Sequence, residues 1–88
     1  MLKISTIERM YGTLKIRIDG QISGEGVELL LKTCKAYLEE GLKLSVDLEN
    51  VSFVDREGIA TIRKLKKRKV EFTSASPFIA EQIRKLNS

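Results

Sequence analysis

The chain has 88 residues, of which 42% are hydrophobic and 32% charged, with a formal net charge of +4. That length suits one domain spanning residues 1–88, with a modest core and little room for a deep substrate cleft. It contains no histidine and a single cysteine, Cys34, which excludes Ser-His-Asp and Cys-His catalysis, histidine metal ligands and an internal disulfide.

The composition is that of a folded soluble protein rather than a disordered one. Its apolar runs are too short to cross a bilayer, and the N-terminus lacks a signal-peptide pattern. The expectation is a cytoplasmic protein with no membrane insertion and no cofactor. The positive charge permits weak attraction to nucleic acid, anionic lipid or an acidic partner without choosing among them.

Residues Leu2 to Glu8 read as a first strand and Tyr11-Gly12 as a turn. Thr13 to Gly20 alternates, with Leu14, Ile16 and Ile18 on one face and Lys15, Arg17 and Asp19 on the other, which predicts a second strand paired as a hairpin with the first. Gly20 to Gly24 reads as a loop. A helix from about Gly24 to Glu40 carries Val27, Leu30, Leu31, Cys34, Tyr37 and Leu38 as one apolar stripe, with Gly41 suited to end it. On that stripe Cys34 is a packing residue.

Leu42 to Leu48 alternates again and is the third strand. The helix predicted from Arg56 to Lys67 buries Ile59, Ile62 and Leu65. A fourth strand runs from Lys69 to Thr73. Ser76-Pro77 starts the last helix, with Ser as N-cap and Pro at the first helical position, and that helix is expected to bury Phe78, Ile79, Ile83 and Leu86.

Strands two, three and four all keep polar residues on their second face, so helices are expected on one face only. Right-handed crossovers with every helix on one side step the strands in a single direction. The predicted fold is therefore α/β. Its single-layer, mostly parallel four-stranded sheet has the order 1-2-3-4, an antiparallel first strand and three helices on one face.

Between the third strand and the second helix lies Val51-Ser52-Phe53-Val54-Asp55-Arg56-Glu57-Gly58-Ile59. Asp55 is placed to cap the helix, and a helix N-terminus offers unpaired N–H groups and partial positive charge. Glu57 suits that positive end. Arg56, exposed on the first turn, is either solvated or an anchor for a partner, a role in which arginine is enriched. The candidate partner-binding residues are Ser52, Asp55, Arg56, Glu57, Gly58 and Ile59. Gln21 and Ser23 join them from the second strand's end, because parallel strands gather functional loops at their carboxyl ends.

Two other signals are weighed and set aside. Arg63 to Lys69 holds six basic residues in seven, but no aromatic or small-residue recognition pattern accompanies it. A solvated helix end is the favoured reading over a nucleic-acid site. Gly20, Gly24 and Gly26 lack the spacing of a phosphate-binding loop.

The segment from Ser45 to Ile59 resembles the signature of STAS domains, the anti-sigma-factor antagonists and their relatives, in which a strand is followed by an apolar v-x-F-[IV]-D-[ST]-[ST]-G-[LI]. Ile18-Asp19-Gly20-Gln21-Ile22 and Phe72 to Pro77 resemble two further stretches of that family. The resemblance implies a non-catalytic interaction module. Its partner would be an anti-sigma factor or a related regulatory kinase, or alternatively the ATPase of a lipid-transporting ABC complex; a basic nucleic-acid-binding domain is the third reading. It also implies a phosphoswitch that this chain lacks, since Arg56 and Glu57 stand where regulated members carry Ser or Thr. A Glu57 that imitates phosphoserine is disfavoured, because one carboxylate carries less charge than a phosphate. Typical members continue into a further strand and helix. The strand-four edge left here, short and carrying Lys69 and Glu71, is expected to give a monomer or weak dimer.

Overall fold

The computed structural model describes residues 2–85. In chain order the elements are β1 (Leu2–Met10), β2 (Thr13–Ile22), α1 (Glu25–Glu39), β3 (Lys43–Val54), α2 (Arg56–Lys67), β4 (Glu71–Thr73) and α3 (Pro77–Lys85). The sheet has the order β1-β2-β3-β4. β1 is antiparallel to β2, and β2, β3 and β4 are mutually parallel. Architecture and strand order are those expected from one-face coverage and right-handed crossovers.

The hairpin turns on Tyr11 and Gly12, both in the left-handed region with φ of 51° and 78°. Two left-handed residues in a two-residue connection are the geometry of a type I′ turn, whose twist matches the flanking strands. The turn sets Met10 opposite Thr13. At the next connection the Lys43 amide donates to the Gly12 carbonyl at 2.9 Å, joining the start of β3 to the same corner.

One contiguous core lies between sheet and helices. Leu14, Ile16, Ile18 and Ile22 of β2 lie beside Leu44, Val46 and Leu48 of β3 on one face of the sheet, under Val27, Leu30 and Cys34 of α1, Ile59, Ile62 and Leu65 of α2, and Ile79 and Ile83 of α3. Leu31, Tyr37 and Leu38 of the expected α1 stripe pack at its margin, half-buried. On the opposite face Arg17 and Asp47 pair across β2 and β3 at 3.4 Å. Asp47 is buried there, and its carboxylate also accepts from the Glu49 amide at 2.8 Å.

Several boundaries differ from the sequence reading. β2 runs two residues beyond Gly20, so Gln21 lies in a strand rather than a loop. β3 continues six residues past Leu48, to Val54. Register shifts between Arg17 and Asp19 and between Gly20 and Gln21 of β2 let β3 carry extra residues while still pairing. Such bulges break the alternation that defines a strand in sequence: Glu49 and Asn50 are exposed in succession before Val51 returns to the core. β4 is only Glu71–Thr73, because Lys69 has φ 70° and closes α2 instead. Phe78, expected in the core, is 72% exposed. Leu86 lies outside the described residues.

Burial pushes the Cys34 thiol up to about 12 from its ordinary 9.0. The unfolded chain ionises this thiol first, so its contribution to stability is intact below about pH 9 and is lost as pH rises toward 12. Denaturant titrations across that range are expected to show wild type losing stability more steeply than Cys34→Ala. A thiol reagent at pH 8 is expected to label Cys34 only as the chain unfolds.

Candidate functional site

The carboxyl ends of β2 and β3 meet the first turns of α1 and α2, and Asp55 holds them together. Asp55 is the single residue between β3 and α2. Its backbone is extended, as an N-cap requires. One carboxylate oxygen accepts from the Gly58 amide at 2.7 Å, and the other accepts from the Gly24 amide at 3.2 Å. Its own amide donates to the Ile22 carbonyl at 3.1 Å. Asp55 therefore caps α2 and also ties that cap to the residue that precedes α1. Gly24 itself, at φ 53°, caps α1 without a side chain.

Gly58 is required by this geometry for a reason the sequence only hints at. A Cβ there would meet the Ile22 carbonyl oxygen at 2.7 Å and Val54 Cγ1 at 2.7 Å. The first turn of α2 thus rests directly on the end of β2. Beside it, the Ser52 hydroxyl donates to the Gly20 carbonyl at 3.3 Å, and Asn50 donates to the Asp19 carboxylate at 2.7 Å.

The eight expected residues consequently fall into two sets. Gln21, Ser52, Arg56 and Glu57 are exposed, and Ser23 and Asp55 are half-buried around them. Gly58 and Ile59 are buried, with Ile59 only 2% exposed. These two shape the surface from beneath and present no side chain of their own to solvent.

Sequence reasoning missed the aromatic part of this surface. Phe53 is 47% exposed and pairs with Gln21 across the strands. Phe78, Gln82 and Lys85 of α3 line a groove of about 410 Å³ with Val54, Asp55, Arg56 and Ile59. The spacing i, i+4, i+7 of Phe78, Gln82 and Lys85 was a usable signal for a shared face. It was masked by assigning Phe78 to the core stripe that Ile79 and Ile83 occupy alone.

The STAS domain model matches residues 5–87. The chain belongs to the STAS family. Among solved structures, the STAS chain resembles the anti-sigma factor antagonist SpoIIAA in its unphosphorylated form, with a TM-score of 0.70 and 18% identity over 93% of this chain and 82% of that one. An anti-sigma factor antagonist from Mycobacterium paratuberculosis gives a TM-score of 0.62 at 21% identity, over 80% of this chain and 64% of that one. At these identities the likeness is one of fold. No curated protein matches the chain by sequence.

The geometry ranks three substitutions at two positions of this STAS site. Gly58→Ala overpacks against backbone and is expected to cost about 1–3 kcal/mol. Asp55→Ala removes an N-cap, at about 0.5–2 kcal/mol, and Asp55→Asn is expected to fall between it and wild type, since one of its two oxygens becomes a donor. Urea unfolding of the three variants checks the order.

Proposed function

We propose that this STAS chain is a non-catalytic regulatory module that docks onto a cytoplasmic protein partner through the surface around Asp55. The observation that carries the reading is the Asp55 bridge. By tying the ends of β2 and β3 and the starts of α1 and α2 together, it fixes Arg56 at the first turn of α2 relative to the strand ends that carry the exposed Gln21, Ser52 and Phe53. Preorganisation lowers the ordering cost of association. Aromatic and arginine side chains on such a surface are the residue types that dominate interface energetics.

The partner class is an anti-sigma factor or a related regulatory kinase. Arg56 and Glu57 occupy the positions of the family's phosphorylatable pair, and neither side chain accepts a phosphoryl group as a hydroxyl does. On this reading the module does not cycle between phosphorylated and free forms, and its docking surface holds one charge state.

Two experiments test the proposal. Copurification of the chain from its native source is expected to bring down such a regulator, and Arg56→Glu is expected to lower that complex's affinity by about tenfold or more. Recovery of an ABC-transporter ATPase in its place would move the chain to the alternative partner class. Incubation of the complex with ATP, followed by intact-mass measurement, is expected to leave the mass unchanged. A phosphate on Ser52 would mean that the switch survives at a neighbouring residue.

A further inference from the structure

The opposite end of the sheet carries a second exposed surface. The amino ends of the parallel strands gather there, with the β1–β2 turn at one side and the end of α2 at the other. Tyr11 is 96% exposed at the turn, beside Met10 at 51%. One shallow groove is lined by Glu8, Met10, Tyr11, Thr13 and Lys15. A second is lined by Thr13, Lys43, Leu44, Ser45, Lys69 and Glu71. Thr13 belongs to both, so the apolar tip and the lysines form one continuous surface. Lys66, Lys67 and Arg68 add further cations at the end of α2, where Lys66 and Lys67 line a separate groove with Arg63 and Ile83, and the Lys69 amide donates to the Lys66 carbonyl at 2.9 Å.

The charges on this surface are unevenly matched. Lys43, Lys66, Lys67, Arg68 and Lys69 are exposed and take part in no ion pair among the described residues. The carboxylates nearby are Glu8 and Glu71, with Glu39 and Glu40 at the end of α1. Glu40 is engaged by Arg9 at 3.5 Å. The end therefore remains net cationic, and an anionic ligand suits it.

Tyr11 sharpens the choice of ligand. A type I′ turn favours Asn-Gly, because L side chains other than Asn and Asp adopt positive φ at a cost. Tyr11 holds φ 51° with almost no protein contact in return. A strained, solvated aromatic points to a use outside the fold. Tyrosine settles at the headgroup level of a bilayer, and lysine clusters next to it draw in anionic lipid. The cations here are mostly lysines, point charges without the planar fork that reads phosphates in a fixed geometry. The aromatic sits at a turn apex, not within a cationic groove as a base-stacking platform would.

We infer that the Tyr11–Lys43–Lys69 end of the sheet is a peripheral docking surface for an anionic lipid bilayer. Contact there is superficial. The Asp55 surface lies at the other end of the same strands, so a lipid-bound chain keeps it open. The inference rests on different residues from the proposed function and stands independently of it.

The test is cosedimentation of the full chain with vesicles of phosphatidylcholine containing about 30% phosphatidylserine, against pure phosphatidylcholine vesicles and a short single-stranded and a duplex oligonucleotide, at low salt. Binding is expected to be tightest to the anionic vesicles, weaker to both oligonucleotides and absent from pure phosphatidylcholine, and to weaken with added salt as surface charges are screened. The double variant Lys43→Glu/Lys69→Glu is expected to lower partitioning by at least about tenfold. Tyr11→Asn is the decisive variant. It relieves the turn, so its melting temperature is expected to rise, while its vesicle binding is expected to fall severalfold. Absence of binding to the anionic vesicles would overturn the inference, as would tighter binding to either oligonucleotide. Unchanged vesicle binding by a folded Tyr11→Asn would also overturn it, since the turn would then have no part in the contact.

Discussion

The contact between the first turn of α2 and the end of β2 governs the end of the molecule that carries the candidate site. Gly58 sits so close to the Ile22 carbonyl and to Val54 that no side chain fits between them. That approach seats the start of α2 on the end of β2, where the Asp55 carboxylate caps the Gly58 amide with one oxygen and accepts from the Gly24 amide with the other. Two strands and two helices are thereby positioned by a few polar contacts and one missing methyl group. Burial of Ile22, Val54 and Ile59 beneath supplies the hydrophobic drive. The polar contacts select one arrangement of the chain ends among those that would bury the same residues.

This division of labour explains what could be read from the chain without its structure. β2 and the first half of β3 were legible because Leu14, Ile16 and Ile18, and Leu44, Val46 and Leu48, alternate with polar residues on a sheet covered on one side. The same alternation required the helices to share a face, and with right-handed crossovers it fixed the strand order. The Asp55 cap and the Ser76 cap were legible from residue type and position. Ser76 does accept from the Ile79 amide at 3.2 Å, with Pro77 opening α3.

The second half of β3 was not legible for an equally physical reason. Between Asp47 and Val54 the strand carries more residues than its neighbour on β2. Each bulge flips the phase of the pattern, so Val51 and Val54 point inward three residues apart. Pattern reading turns such a stretch into a loop. The consequence for the site is substantive: Ser52 and Phe53 stand on hydrogen-bonded strand, not on a mobile connection. Phe78 failed for a different reason. Hydrophobicity alone assigned it to the core, although the i, i+4 pair Ile79 and Ile83 already fills the inward face of a helix of nine residues.

The two ends of the sheet are built on opposite principles, and this bears on how the chain would act. At the carboxyl ends, donors and acceptors are closely satisfied, and Arg56 and Glu57 place opposite charges side by side on one helical turn. A phosphate there would have added about −1.5 to −2 of charge to the same turn. The charge this chain carries instead is nearly balanced, so on the proposed docking reading partner choice would depend on shape and on the directional reach of Arg56, Gln21 and Phe53. At the amino ends, lysines without ion-pair partners among the described residues and a strained tyrosine leave charge and apolar area uncommitted. Long-range attraction of that kind is not directional and acts on any anionic surface. Taken together, the two proposals give the chain the layout of an adaptor, in which an adhesive contact would limit where a selective one operates. The rigid β2–β3 pair, running from Thr13 and Lys43 to Ile22 and Val54, holds the two apart.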